Sequence, residues 1–154
     1  MVKSDARWVA CALDCEGNIS LSKHKCKKTH CGYTWQGGTA ITNCNLDFIK
    51  ELQRVIGFGL YNFNHAHIVN GKKIYRLYFS PKQTAKLLSQ IEPYLIIKKK
   101  HSQLLREALP LVLLGMGGAR TPQQLERLLE IHRQIRELNI GKRHLKYNGM
   151  ETSG

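Results

Sequence analysis

The segment from Trp8 to Ile19 constrains the fold of this chain more than any other part of the sequence. It begins as a run of small and apolar residues that is typical of a short packed helix. It ends in two acids, Asp14 and Glu16, which Gly17 follows directly. Few folds place carboxylates at the exit of a packed helix, because a buried charge needs a partner. The pattern therefore predicts a helix that ends at a polar site where a strand begins.

The net charge of the chain indicates a polyanionic partner. Its 154 residues carry a formal net charge of +13, and their 42% hydrophobic content suits one folded domain with a core. Lys and Arg release condensed counterions when they bind phosphates, so a nucleic acid is the favoured partner. A basic protein without a specific ligand is the alternative. The sequence has no long apolar run, which disfavours a membrane partner.

The five cysteines are an odd number, and the N-terminus does not resemble a signal peptide. We therefore expect reduced thiols and an intracellular protein of the cytoplasm, nucleoid or an organelle matrix. A zinc site could be suggested by four residues of one segment: His24, Cys26, His30 and Cys31. Their spacing fits no common ligand pair, so a solvated basic loop is the preferred interpretation.

Alternation of apolar and polar residues predicts four strands, over residues 18–26, 34–41, 60–68 and 73–79. Asn70-Gly71 is a strong hairpin signal between the last two. Helix starts are expected at Ser4 or Asp5, Asn45, Ser80-Pro81, after Pro93, and at Thr121-Pro122.

The resulting order is α-β-β-α-β-β-α with extra C-terminal helices. It predicts an α+β fold in which a four-stranded antiparallel sheet carries helices on one face. Residues 1–140 are expected to form a single domain, and residues 141–154 a flexible basic tail.

The sheet face away from the helices is predicted to be polar. Its expected side chains are Ser20, Ser22, His24, Gln36, Asn62, Asn64 and Arg76. Such donors and acceptors could read bases in the major groove of DNA, although any antiparallel sheet has a wet face. The pattern alone leaves these two interpretations about even. Lys27 and Lys28, in the following loop, are expected to contact phosphates.

Residues 9–17 resemble the nine-residue LAGLIDADG motif of homing endonucleases, the DNA-cutting enzymes of mobile introns and inteins. Four residues match the motif in kind: Ala10, Asp14, Glu16 and Gly17. Further segments resemble the family in the correct order, at residues 41–49, 56–59, 75–77, 93–105 and 131–139. The resemblance covers about residues 5–140 and implies the homing-endonuclease fold.

The resemblance also implies a metal-dependent cleavage site. The second acid of the family's motif binds a divalent cation beside the scissile phosphate, which gives this role to Glu16, with help from the Gly17 carbonyl. The expected cofactor is Mg²⁺ or another divalent cation such as Mn²⁺. Lys98 falls at the family's active-site lysine, and Asn43 at a polar residue that holds solvent. Asp14 is the second candidate acid, and it could instead cap or brace a facing helix.

Without the resemblance, residues 98–100 could be an ordinary solvated charge run, and Asn43 could make a strand-end hydrogen bond. One motif copy is visible, and family members with one motif are homodimers. The expected dimer interface contains Ala10, Cys11, Leu13 and Asp14, since small residues allow two helices to approach closely. A twofold dimer would read two half-sites of the same symmetry.

The sequence thus predicts a homodimeric, site-specific endonuclease that cuts both strands of a long, nearly palindromic DNA duplex. The first alternative is a maturase-like protein on the same fold that binds intron RNA and assists splicing. The second is a DNA-binding protein that has lost cleavage. The presence of Glu16 and Lys98 favours cleavage over the second alternative.

Overall fold

Helices and three long strands make up most of the structure, a computed structural model that describes residues 1–28, 32–61, 67–69, 72–114 and 120–147. The strands are β1 (Gly17–Lys25), β2 (Tyr33–Asn43), β3 (Leu60–Tyr61), β4 (His67–Val69) and β5 (Lys72–Phe79). The helices are α1 (Lys3–Glu16), α2 (Leu46–Ile56), α3 (Pro81–Ile91), α4 (Lys99–Leu114) and α5 (Pro122–Tyr147), with a 3₁₀ turn at Glu92–Tyr94.

The sheet is antiparallel, with strand order β1-β2-β5-β3, and β4 also pairs with β5. The α+β class and the antiparallel sheet predicted from the sequence are confirmed, whereas the predicted number of four strands is not, since five are described. The predicted strand over residues 60–68 is described as two short segments on either side of residues 62–66, which lie outside the described residues. The Asn70-Gly71 hairpin turn also lies outside them.

Most of the predicted helix starts are confirmed by capping contacts. Asn45 accepts hydrogen bonds from the amides of Asp47 and Phe48, and Ser80 forms a capping box with Gln83. The first helix is an exception, because its N-cap is Val2 and no side chain caps it. Ser4 and Asp5, which were expected to cap it, lie inside its first turn.

The C-terminal helices differ from the expectation in their extent. Thr121 caps α5, where its hydroxyl accepts a hydrogen bond from the Gln124 amide. The backbone of α5 then continues to Tyr147, beyond the boundary expected at residue 140. None of the described helices combines the length and the apolar character needed to cross a membrane.

The core lies between one face of the sheet and the helices. Alternate residues of β1, β2 and β5 point into it, and Leu109, Leu105 and Leu13 are among the helix residues that cover them. The helix α4 packs directly on β2 at Gly37, where an added Cβ would lie 3.0 Å from the Leu105 side chain. Each fully buried leucine contributes roughly 1.5–3 kcal/mol to folding. This packing leaves the opposite sheet face uncovered by these helices.

Candidate functional site

The predicted site lies at the junction between α1 and β1. The helix ends at Glu16, and the Gly17 amide donates a hydrogen bond to the Leu13 carbonyl. A Cβ added at Gly17 would lie 2.5 Å from that carbonyl oxygen and closer still to the Leu13 side chain. Glycine is therefore required here by the close approach of strand to helix, which is the physical reason for the glycine that ends the motif.

Glu16 is exposed at the C-terminal end of α1. This end of a helix carries partial negative charge, and the last turn of α1 contains no basic residue that would compensate it. Asp14 adds a second carboxylate within two residues. The end of α1 is thus rich in negative charge, part of which the Lys98 ammonium at the Asp14 carbonyl offsets.

The Asp14 side chain is only 8% exposed, and both of its oxygens accept backbone hydrogen bonds. Oδ2 accepts from the Ile96 amide and Oδ1 from the Lys98 amide, each at 2.8 Å. Asp14 therefore braces the segment that leads into α4 of its own chain. Bracing was expected towards a facing helix, whereas the observed contacts lie within the chain; the roles of Asp14 as a catalytic acid and interface residue stay predictions.

Lys98 is 9% exposed, which contradicts its interpretation as part of a solvated charge run. Its Nζ donates a hydrogen bond to the backbone carbonyl of Asp14. The neighbouring Lys99 and Lys100 are exposed. The fold thus brings Lys98 to the end of α1, next to the stretch that contains Glu16, although 82 positions of sequence separate the two residues.

Asn43 lies at the end of β2, and its Oδ1 accepts a hydrogen bond of 2.8 Å from the Asn45 amide. This is the strand-end turn that the sequence allowed as an alternative. The solvent-holding role of Asn43 stays a prediction.

The open face of the sheet carries the predicted polar residues that the structure describes. Ser22 is paired with Gln36, and Thr42 with Arg76, so the members of each pair lie on one face. Further members of this face follow from the same register: Asn18, Ser20, His24, Thr34 and Tyr78. Asn62 and Asn64 lie outside the described residues.

His24, Gln36 and Arg76 are exposed, as are Lys27 and Lys28 in the turn after β1. Three further residues of this face were not predicted from the sequence, although the same alternation of residues could have found them: Asn18, Thr34 and Thr42. The open face is thus a surface of hydrogen-bonding side chains flanked by lysines.

The outer face of α1 differs from the predicted interface. Ala10 and Leu13 are fully buried within the chain, so they cannot meet a second copy. The exposed residues of this face are Ser4, Trp8, Cys11 and Cys15. Cys11 is the predicted residue that remains available.

The adjacent Cys11 thiol raises the pKa of the Cys15 thiol, with smaller contributions from partial burial and from the carboxylates of Asp14 and Glu16. Cys15 is therefore a neutral thiol at physiological pH. Two exposed apolar side chains, Ile96 at 86% and Ile97 at 53%, also project beside Lys98. The exposure of these isoleucines was not predicted from the sequence, in which only the adjacent Ile-Ile pair in a turn indicated it.

Metal ligands are sparse in the parts of the chain that the structure describes. No three His, Cys, Asp or Glu side chains there are grouped so that one chain could hold a metal ion. Of the residues weighed for zinc, His30 and Cys31 lie outside the described residues. A cation at Glu16 would therefore need further ligands from water, the substrate or a second chain.

No family model matches the sequence, and no curated protein matches it either. Solved structures do match the fold. I-CvuI matches with a TM-score of 0.74 and 14% identity over 88% of this chain and 82% of its own. The archaeal intron-encoded I-Vdi141I matches with a TM-score of 0.72 and 15% identity, over 88% and 84% of the two chains.

I-SmaMI matches with a TM-score of 0.71 and 19% identity over 89% of this chain but 46% of its own, so this chain corresponds to about half of it. All three are homing endonucleases. I-CvuI was solved with the I-CreI DNA target, uncleaved in 2 mM Mg, and I-Vdi141I in complex with DNA. I-SmaMI was solved on uncleaved DNA with calcium ions. The chain described here has the fold of the LAGLIDADG homing endonucleases.

Proposed function

We propose that this protein is a homing endonuclease of the LAGLIDADG family, which cuts a long, nearly palindromic DNA duplex by metal-dependent hydrolysis as a homodimer. One observation carries the proposal: the fold brings the buried Lys98 to the end of α1, beside the stretch that holds the exposed Glu16. A buried lysine next to an acidic helix end is costly to maintain for folding alone. It has a clear use where a phosphate must be held and cleaved.

Glu16 fits a magnesium site. Mg²⁺ usually keeps several waters and takes one or two protein carboxylates together with substrate phosphates. One Glu16 from each chain of a dimer would supply two carboxylates, with the Gly17 carbonyl as a further oxygen donor. The bound cation would neutralise phosphate charge and lower the pKa of water.

Lys98 supplies the positive charge of the site. Hydrolysis of a phosphodiester adds negative charge to the phosphate oxygens in the transition state, and an ammonium held in place stabilises that charge. Its burial strengthens this effect, because the interaction is less screened than at the surface.

The open sheet face has suitable dimensions and chemistry for DNA. The nine residues of β1 and the eleven of β2 extend about 30–35 Å at the usual rise per residue. This length is close to one turn of the double helix, about 34 Å. Each chain could thus follow about ten base pairs, with Arg76, Gln36 and His24 facing the bases and Lys27 and Lys28 near phosphates.

The exposed residues on the outer face of α1 support a dimer. Ser4, Trp8, Cys11 and Cys15 are spaced by four, three and four residues, which is the spacing of a seam between two packed helices. If the outer faces of α1 from two chains met across a twofold axis, both Glu16 residues would lie near the middle of the DNA target. Such an enzyme acts on intracellular DNA, in the cytoplasm or nucleoid or in an organelle matrix.

A Glu16→Gln variant tests the proposal, with Glu126→Gln on α5 as the control for losing an exposed carboxylate. Both are compared with the parent on duplexes selected for binding from a randomised library. We expect the parent and the control to cleave with Mg²⁺, and Glu16→Gln to bind within a few-fold of the parent but not to cleave. Equal cleavage by all three proteins would refute the assignment of Glu16.

An intron-RNA binding assay run beside the duplex assay distinguishes the alternatives. RNA binding without duplex cleavage by the parent would favour the maturase-like function. Specific duplex binding without cleavage by the parent would favour a DNA-binding protein that has lost its activity.

A further inference from the structure

We infer that Asp14 is a positioning residue, which holds the Lys98 ammonium in place for cleavage without itself binding metal or substrate. The inference rests on the proposed function and deepens it. Asp14 makes three hydrogen bonds with the segment before α4: its side chain accepts from the amides of Ile96 and Lys98, and its carbonyl accepts from Lys98 Nζ. Lys98 is thus bound to Asp14 through both its backbone and its side chain.

The segment at residues 96–98 is held at two of its amides by the Asp14 carboxylate. The side chains of Ile96 and Ile97 are exposed, so these two residues do not anchor the segment by apolar packing. The buried Leu95 anchors its start, and the Ser102 amide bonds the Lys98 carbonyl at its end. Between these points the Asp14 carboxylate accepts from two backbone amides and so helps to set the path of the backbone.

A carboxylate suits this position electrostatically. Lys98 directly precedes α4, whose N-terminal end carries partial positive charge. The Asp14 carboxylate complements this positive helix end and satisfies the amides of Ile96 and Lys98. Both of its oxygens are occupied by this task, whereas the exposed Glu16 carboxylate stays available for a cation.

Single-turnover cleavage of a selected duplex tests the inference with Asp14→Asn, Lys98→Met and the double variant. Asp14→Asn keeps the shape but cannot accept both amides, and a misplacement of about 1 Å can slow a reaction by about 10²-fold. We expect Asp14→Asn to cleave about 10²-fold more slowly than the parent. Its affinity for the duplex and the Mg²⁺ concentration for its half-maximal rate should be unchanged. The double variant should be no slower than Lys98→Met alone, because Asp14 acts through Lys98.

The inference would be overturned if the rate losses of the two single variants multiplied in the double variant. A large rise in the Mg²⁺ concentration that Asp14→Asn requires would overturn it too. Asp14→Glu should recover part of the rate, since it restores the carboxylate. Asp47→Asn, an exposed acid in the first turn of α2, is the control and should cleave like the parent.

A measurement independent of cleavage keeps the two proposals separate. Acylation of amines, followed residue by residue by mass spectrometry, should label Lys98 slowly in the parent and at least several-fold faster in Asp14→Asn, with Lys99 labelled equally in both. Unchanged protection of Lys98 would refute the inference even if the parent never cleaves DNA.

If Asp14→Asn does not fold, Ile96→Pro removes one of the two amide donors and leaves Asp14 intact. The extended backbone of Leu95, at ψ 136°, is compatible with a following proline. Faster labelling of Lys98 in Ile96→Pro supports the inference, and parent-like protection contradicts it.

Discussion

Replacing Gly17 with alanine tests the junction on which the site depends. The added Cβ would lie 2.5 Å from the Leu13 carbonyl oxygen, a backbone atom that cannot rotate away. Either the end of α1 or the start of β1 must therefore shift. Strain of this kind costs about 1–3 kcal/mol. For a protein of this size, that loss lowers the melting temperature by about 2–12 °C.

The same shift moves Glu16, so we expect Gly17→Ala to cleave DNA about 10²-fold more slowly at a temperature where it is still folded. Gly57→Ala is the matched control. Gly57 ends α2 with φ +78°, and an added Cβ would meet no atom within 4 Å, so the cost is about 1–2 kcal/mol of backbone strain.

Circular dichroism melts and single-turnover cleavage are measured on both variants. The control should lose a comparable amount of stability and keep the parent rate. If Gly17→Ala melted and cleaved like the parent, the close approach of α1 and β1 would not constrain the site, and this reasoning would be wrong.

Four further predictions concern DNA readout, assembly and pH. Arg76→Ala should relax preference at one base pair in each half-site, by about 1–3 kcal/mol, in a cleavage profile over single-base variants. Lys28→Ala should weaken all duplexes alike and flatten the salt dependence of binding by about one unit of slope for each phosphate that Lys28 neutralises. Cys15→Arg should sediment as a monomer at micromolar concentration while Cys44→Arg, also exposed, stays dimeric; a dimeric Cys15→Arg would exclude this face of α1. Burial, assisted by Arg136 and Lys23, lowers the pKa of His132 below 6.5. Stability should therefore fall as pH drops below about 6.5, because the unfolded chain binds the proton more readily. Melts at pH 7.5 and 5.5 should show a smaller fall in His132→Gln.

The features predicted correctly from the sequence are those with a local physical cause. Asn45 and Ser80 cap helices because their side chains reach amides two or three residues away. The open face of the sheet follows from alternation along β1 and β2. The end of α1 at Glu16 follows from Gly17, whose close contact with Leu13 is also local.

The features missed depend on contacts that are distant in sequence. Asp14 meets a segment 82 residues away, so the motif itself could not show which part of the chain it braces. The buried faces of α1 were also ambiguous, since small and apolar residues surround the helix. Ala10 and Leu13 were assigned to a partner, whereas the chain's own core covers them. Val2 starts α1 without a capping side chain because water can satisfy an exposed helix end.

The central claim is that two copies of this chain cut one symmetric DNA site. Its most direct test is to incubate the parent protein and Mg²⁺ with a randomised duplex library and to sequence both ends of every cut molecule. We predict cuts in both strands at the centre of an inverted repeat, with about ten base pairs read on each side. Cuts at sites without twofold symmetry, or no more cut ends than Glu16→Gln produces, would contradict the account.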